Sequence, residues 1–302
     1  MKYIDFFRST WIKDIQKVNS IKFYKGFKEW LATNKLFQLQ GDQEPYLLNV
    51  FDPDIMSAIA SDFENFSIAS IETMDSVSLY QNKKPMVWIF MKNYYAAFYS
   101  AHALLRLTGR FFIRADQGIT NNIEKSYMSS STIKLKCKNY WSISYDKNFN
   151  EIVINNRSNT TAHEGLWKDF SNLLIHLRDE SLNRGYIAIS SKTEDLLDIL
   201  GLETSSNYNW LSVMRNEFTY LNNHFWFPKK TVGFQYSDLE IWKKDFENIH
   251  LKNTHSNHRH LNFLIGCQAI VSLCRDSIQE IKRISTNKTF VDKVLLKFIN
   301  IG

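Results

Sequence analysis

Proline and glycine are both sparse, with 4 and 10 among 302 residues. That scarcity excludes collagen-like and low-complexity architectures and favours long uninterrupted elements. Cysteine is limited to Cys137, Cys267 and Cys274. If the last two share a helix, seven residues separate them by about 10 Å along the axis, too far for a disulfide. A disulfide-stapled secreted fold is therefore not expected, and a reducing cytoplasm is. Neither sign of charge dominates: 37 basic against 31 acidic residues leave a net charge of +6. Such a surplus permits contact with phosphate without arguing for it. No apolar run approaches the roughly 18 residues of a membrane span, and the opening MKYIDFFRSTWIKDIQ lacks the apolar core of a signal peptide. Glycine-rich phosphate loops, Walker signatures, nucleophile elbows and internal repeats are likewise missing from the sequence.

Aromatic residues, by contrast, make up 15% of the chain. Residues 1 to 45 read as a basic, aromatic helical arm. Lys13, Lys17, Lys22, Lys25 and Lys28 interleave there with Phe23, Tyr24, Phe27 and Trp30, and Ser9 or Thr10 could cap a helix before Trp11. Such a mixture serves a nucleic-acid surface or simply a helix with a solvated lysine face. Gly41 to Pro45 marks a boundary, and Asp52-Pro53-Asp54 starts the next helix. Apolar positions from Ile55 to about Leu79 suit a helix or helical hairpin.

Pro85 then opens the most strongly patterned helix, ending at Gly109. Trp88, Met91, Tyr95, Phe98 and Leu105 mark one stripe, thickened by Phe90, Tyr94, Ala97, Ala101 and Leu104. Lys92, Tyr99 and Arg106 edge the other face. His102 on the apolar side reads as a hydrogen-bonded core residue.

Between 110 and 160 the period changes. Ile133, Leu135 and Cys137 alternate with lysines, and Trp141, Ile143 and Tyr145 alternate in turn, so a small β-hairpin insertion is expected. Lys134, Lys136 and Lys138 beside Tyr140 and Trp141 could also contact RNA. Helices follow over Leu166 to Leu177 and Thr193 to Leu200. A capped start is expected at Ser237-Asp238-Leu239-Glu240. His255, His258 and His260 lack companion ligands at metal-site spacing and read as a polar loop. Phe263, Cys267, Ile270, Cys274, Ile278 and Ile281 form the stripe of a long helix, and 286–302 a short helical tail.

Trp210 to Phe227, WLSVMRNEFTYLNNHFWF, sets Arg215-Asn216 within an otherwise apolar helical pattern. Leu211, Met214, Phe218 and Leu221 make its core stripe, while Asn216 and Tyr220 lie four residues apart on another face. A guanidinium is costly to bury, so Arg215 is expected at a groove or a partner.

The paired-Tyr helix NYYAAFYSAHALLRLTG followed by this Arg-Asn helix resembles the HEPN superfamily. Its signature is Arg, usually followed by a polar residue such as Asn, with His four to six positions after the Arg. Here Arg215 and Asn216 match, but Tyr220 stands at the His position. The resemblance runs over roughly 53 to 285 and implies a mainly α HEPN-like bundle, with the β insertion at about 110–160. It also implies a homodimeric, metal-independent ribonuclease, of the toxin or antiviral-defence kind, with RNA as partner and without cofactor, metal or membrane. Alternatively, the chain is a degenerate scaffold or nucleic-acid-binding subunit of a larger complex.

In the implied chemistry Arg215 would stabilise the phosphorane and Asn216 would orient it. Tyr220 or His224 would have to supply the proton-moving group, although an ordinary Tyr titrates near pH 10. Positions 215 and 220 diverge by about 140° on one helix, so a compact site needs a second protomer. Arg157 and His163 also satisfy the spacing, but SNTTAHEG reads as a loop and helix cap, which makes that pair a decoy.

Overall fold

A computed structural model describes residues 1–18, 26–41, 43–78, 86–128, 133–202, 207–220, 239–251, 259–285 and 289–299. The described residues are mainly helical, with one small sheet. In chain order the elements are α1 (Tyr3–Arg8), α2 (Phe27–Thr33), β1 (Phe37–Gln40), β2 (Tyr46–Val50), α3 (Ile55–Ser78) and α4 (Met86–Leu107). Next come β3 (Arg110–Arg114), α5 (Gln117–Lys125), β4 (Tyr140–Asp146), β5 (Glu151–Arg157), α6 (Ala162–Asn183) and α7 (Ile187–Gly201). The last are α8 (Trp210–Tyr220), α9 (Arg259–Ile284) and α10 (Asp292–Ile299).

The centre of the bundle is the α3–α4 hairpin with α9 laid against it. On α9, Phe263, Cys267, Ile270, Cys274, Ile278 and Ile281 are all buried, as their spacing predicts. All three cysteines are free thiols. The helix is long and apolar enough to cross a membrane, but 89% of that apolar window is buried inside the fold, which is how the core helix of a bundle looks. Close packing against α7 depends on Gly266, where an added Cβ would lie 2.7 Å from a methyl of Ile199.

On α4 the expected stripe is rotated. Phe90, Tyr94, Ala97, Ala101 and Leu104 are the buried row, while Tyr95 and Phe98 are half-buried and Trp88 is 52% exposed. Arg106, expected at an edge, is buried because the preceding helix supplies a carboxylate. Its Nε lies 3.4 Å from Asp62 Oδ2, and its guanidinium stacks over Phe66 and Phe111. Gly109, at φ +71°, turns the chain directly from α4 into β3, a conformation that favours glycine.

The sheet is larger than a hairpin. Five antiparallel strands run in the order β1-β2-β5-β4-β3, so strands from before the α3–α4 hairpin pair with strands from after it. One face carries Phe37, Leu39, Leu48, Ile152, Ile154, Trp141, Ile143 and Phe111, all buried. Helix α2 covers this face, with Phe27 stacked on Phe111. Residues 133–136 are not a strand, although Ile133 and Leu135 are buried. The strands on either side of the boundary marked at Gly41 to Pro45, β1 and β2, pair with each other in this sheet. Ser9 and Thr10 do not cap a helix start: their hydroxyls donate to the carbonyls of Phe6 and Phe7 at the end of α1.

Helix α6 lies across the opposite face. Thr161 caps its start by accepting from the Glu164 N–H, as expected of an N-cap threonine. Phe112 packs so tightly on Gly165 that a Cβ there would sit 2.1 Å from the ring. Asp169, one turn further along, accepts a hydrogen bond from Ser142 at 2.6 Å and lies 3.5 Å from Arg157. These contacts fix where the first turn of α6 points.

Candidate functional site

The Arg-Asn helix α8 packs against α4, α7 and α9, and α6 reaches its neighbourhood through α4. The apolar side of α8 is as expected: Leu211, Met214 and Phe218 are fully buried, and Phe218 stacks on Phe90 of α4 at 4.5 Å. α8 runs antiparallel to α4, since Thr219 meets Met91 while Arg215 meets Tyr95. Leu221, His224 and Pro228 lie outside the described residues.

Arg215 is half-buried at the edge of this packing. One terminal nitrogen donates to Tyr95 Oη at 2.8 Å and the other to Asn216 Oδ1, also at 2.8 Å. Its Nε is buried without a hydrogen-bond partner. Among the described residues no carboxylate lies within ion-pair distance of it. The nearest acid in sequence, Glu217, is instead paired with Arg259 at 3.1 Å. Partial burial works against the charge, but the Tyr95 hydroxyl and the neighbouring phenols of Tyr94 and Tyr220 outweigh it and raise the guanidinium pKa. The cation is thus held by hydroxyl and amide oxygens and keeps its full charge. Asn216 is exposed and Tyr220 is 73% exposed, both on the outer side of α8.

What the sequence did not disclose is a further neighbour of Tyr95. His163, in the first turn of α6, places Nδ1 2.8 Å from Tyr94 Oη. Its ring centroid is 6.3 Å from that of Tyr95, over which the Arg215 guanidinium sits at 5.8 Å. Burial, and secondarily the positive charge of Arg215, lower the His163 pKa below its ordinary value. The ring is neutral at pH 7. Arg157 ends β5, where Asp169 and Ser142 engage it, and Thr161 caps α6 before His163, so a loop and helix cap do lie between the two, as the sequence suggests. His163 itself, however, shares Tyr95 as a neighbour with Arg215, whose charge it feels. No spacing rule could have found it, since α6 and α8 meet only through the tertiary packing on α4.

Tyr94 is the hub of this arrangement. Its oxygen accepts from the Trp167 indole at 3.1 Å and is within hydrogen-bonding reach of Ser212 on α8 as well as His163. Burial drives its pKa upward, against the donors that surround it, so it is a neutral phenol. Phe98 separates His163 from His102, with centroids 4.9 Å from each. His102 is the core histidine expected, stacked on Phe66 and 3.2 Å from Arg106. Its pKa is well below the ordinary value, first through burial and then through Arg106 and His163.

Other candidates are less coherent. His255 and His258 fall outside the described residues, and among those described no group of His, Cys, Asp or Glu could hold a metal ion. A cleft of about 400 Å³ between α1 and α9 is lined by Asp5, Asp245, Asp276 and Glu280. Those carboxylates already face Arg8, Arg275 and Arg283, so each is engaged in an ion pair of the fold. Comparison of the chain with protein-family models, curated proteins and solved structures found no match.

Proposed function

We propose that this chain is a HEPN-like, metal-independent endoribonuclease of a toxin or antiviral-defence system, acting in the cytoplasm as a homodimer. The observation that carries the reading is the half-exposed Arg215 guanidinium, oriented by Tyr95 and Asn216 with no carboxylate to neutralise it among the described residues. A structural arginine in a bundle normally meets an acid, as Arg106 meets Asp62 here. One left with neutral oxygens is suited to an anion brought from outside, and its planar fork fits two phosphate oxygens. The chemistry would be attack of a ribose 2′-hydroxyl on the adjacent phosphate, with Arg215 stabilising the charge that gathers on the equatorial oxygens. Asn216, already bonded to Arg215, would orient that fork. A twofold axis near Arg215 would bring the same groups from a second copy.

A second reading is a HEPN-like scaffold or nucleic-acid-binding subunit that has lost cleavage. It is favoured by Tyr220, an exposed phenol where the motif would have an imidazole. Incubation of the purified protein with labelled RNA in EDTA, beside Arg215→Ala, separates the two. Chelator-resistant cleavage abolished in the variant supports the nuclease. Binding without cleavage supports the scaffold.

A further inference from the structure

From the placement of three helices around Tyr94, we infer that His163 of α6 takes the proton from the attacking 2′-hydroxyl, the task left vacant on α8. This inference rests on the ribonuclease reading and adds to it the identity of the base and of the residue that positions it.

A general base needs a nitrogen lone pair open to substrate, a cation nearby for the phosphate, and a third group that fixes its ring. His163 has all three. Its Nδ1 is taken by Tyr94 at 2.8 Å, which leaves Nε2 as the edge without a protein partner among the described residues. The ring is only partly buried. Arg215 and His163 both meet Tyr95, at 5.8 Å and 6.3 Å from its ring centroid, and Tyr95, accepting from Arg215, has its own proton to give. Tyr220, the residue at the motif position, has no comparable setting: it is 73% exposed and lies five residues beyond Arg215 on the same helix.

The Tyr94 network permits the tautomer that the base requires. An indole only donates, so Trp167 occupies one lone pair of the Tyr94 oxygen. In the tautomer the proposal requires, Nδ1–H of His163 fills the other and the Tyr94 proton turns toward Ser212, a hydroxyl able to donate or accept. The Nε2 lone pair is then free.

In the reaction Nε2 accepts the 2′-hydroxyl proton as the O2′–P bond forms. The P–O5′ bond breaks with its electron pair on O5′, which takes a proton from water. The imidazolium returns its proton to the resulting hydroxide, and the products are a 2′,3′-cyclic phosphate and a 5′-hydroxyl. Tyr94 is a positioning residue, acting through His163.

The test uses the full chain, a labelled single-stranded RNA of mixed sequence, and the same oligonucleotide with 2′-O-methyl groups as a probe that binds without reacting. His163→Asn should lower cleavage by about 100-fold or more while the methylated RNA binds as tightly as before and the thermal midpoint holds. If His163→Asn cleaves as fast as the parent while Arg215→Ala does not, the assignment of His163 is overturned and the ribonuclease reading stands. If the parent protein binds RNA and never cleaves it, both are overturned.

Should His163→Asn lower the thermal midpoint, His163→Gln and the pH profile of the parent decide. The groups facing His163 are Tyr94, Tyr95 and, beyond Phe98, His102 from α4, with Arg215 from α8. The parent should lose kcat/KM on the acid side as Nε2 protonates, with the limb below the ordinary histidine range. Tyr94→Phe should move that limb to lower pH, because the imidazolium loses its acceptor. A limb unmoved in Tyr94→Phe and still present in His163→Gln overturns the proposal.

Discussion

Removing the carboxylate of Asp62 should destabilise this protein more than most single substitutions can. Asp62 sits on α3 with its side chain 14% exposed, facing an Arg106 side chain 2% exposed. At 3.4 Å and an effective dielectric constant near 20, the attraction between unit charges is about 5 kcal/mol. Desolvation of the two ions offsets much of that, several kcal/mol for each. The opposed tendencies are visible in both partners. Burial raises the Asp62 carboxyl pKa against the pull of Arg106, and burial lowers the Arg106 guanidinium pKa against the pull of Asp62.

The intact pair therefore contributes little net stability, but half of it is costly. Asp62→Ala leaves a buried guanidinium with only His102 and aromatic faces, and removes an acceptor from the Phe27 N–H at the start of α2. The expected loss is about 3–5 kcal/mol. With a urea slope of roughly 2–3 kcal/mol/M, the midpoint falls by about 1–2.5 M. Asp62→Ala combined with Arg106→Met removes both charges, and should recover about 2 kcal/mol or more of that loss. Urea unfolding of the two single variants and the double, closed as a cycle, measures the coupling. A coupling energy under about 0.5 kcal/mol, or a loss under about 1 kcal/mol for Asp62→Ala, would refute the electrostatic account.

Acidification should also destabilise the fold through His102. Its folded pKa is depressed, so below pH 6.5 the unfolded chain binds a proton that the native state refuses, and stability declines as pH falls. At pH 5.5 a histidine kept fully neutral costs about 1.4 kcal/mol; urea midpoints of His102→Gln should change less than the parent's between pH 7.5 and 5.5, and equal slopes would exonerate His102. Gly165→Ala gains helix propensity but drives a methyl to 2.1 Å from the Phe112 ring, and overpacking of about 1–3 kcal/mol should win; a raised thermal midpoint would contradict this. RNA affinity should fall steeply with ionic strength if Arg215 meets phosphate, and a salt-independent affinity would point to a protein partner instead. Tyr220→Phe should reduce cleavage if that phenol donates to substrate, whereas an unchanged rate would remove Tyr220 from the chemistry.

Helices were legible where one face alone decides the pattern. The Leu211, Met214, Phe218 row of α8 follows from spacing because that helix buries one face, and the stripe of α9 is buried along with most of the residues around it, since α9 is enclosed on nearly every side. α4 is surrounded on most sides, so two candidate stripes were equally apolar and the choice between them depended on neighbours. Trp88 shows the error: its side chain fits the period but points away from the packed helices. Strands β1 and β2 are only four and five residues long, and they join the sheet only because β2 pairs with β5, about a hundred positions later. β3 offers Phe111, Phe112 and Ile113 in a row because helices cover both its faces, which removes the alternation that marks a half-exposed strand. The candidate site divides in the same way. Arg215 and Asn216 were legible from a charged pair in an apolar helix, whereas Tyr95 and His163 join them only through contacts that the fold makes.

The pairing of β2 with β5 decides how the chain can be cut. A shortened protein beginning near Pro53 would keep the α3–α4 hairpin but strip two strands from the sheet, leaving the backbone of β5 unsatisfied along Glu151 to Ile154. Ile152 and Ile154, now sealed under Leu48 and Tyr46, would meet water on a raw edge. Such an edge recruits strands from other molecules, so the truncation should give aggregates.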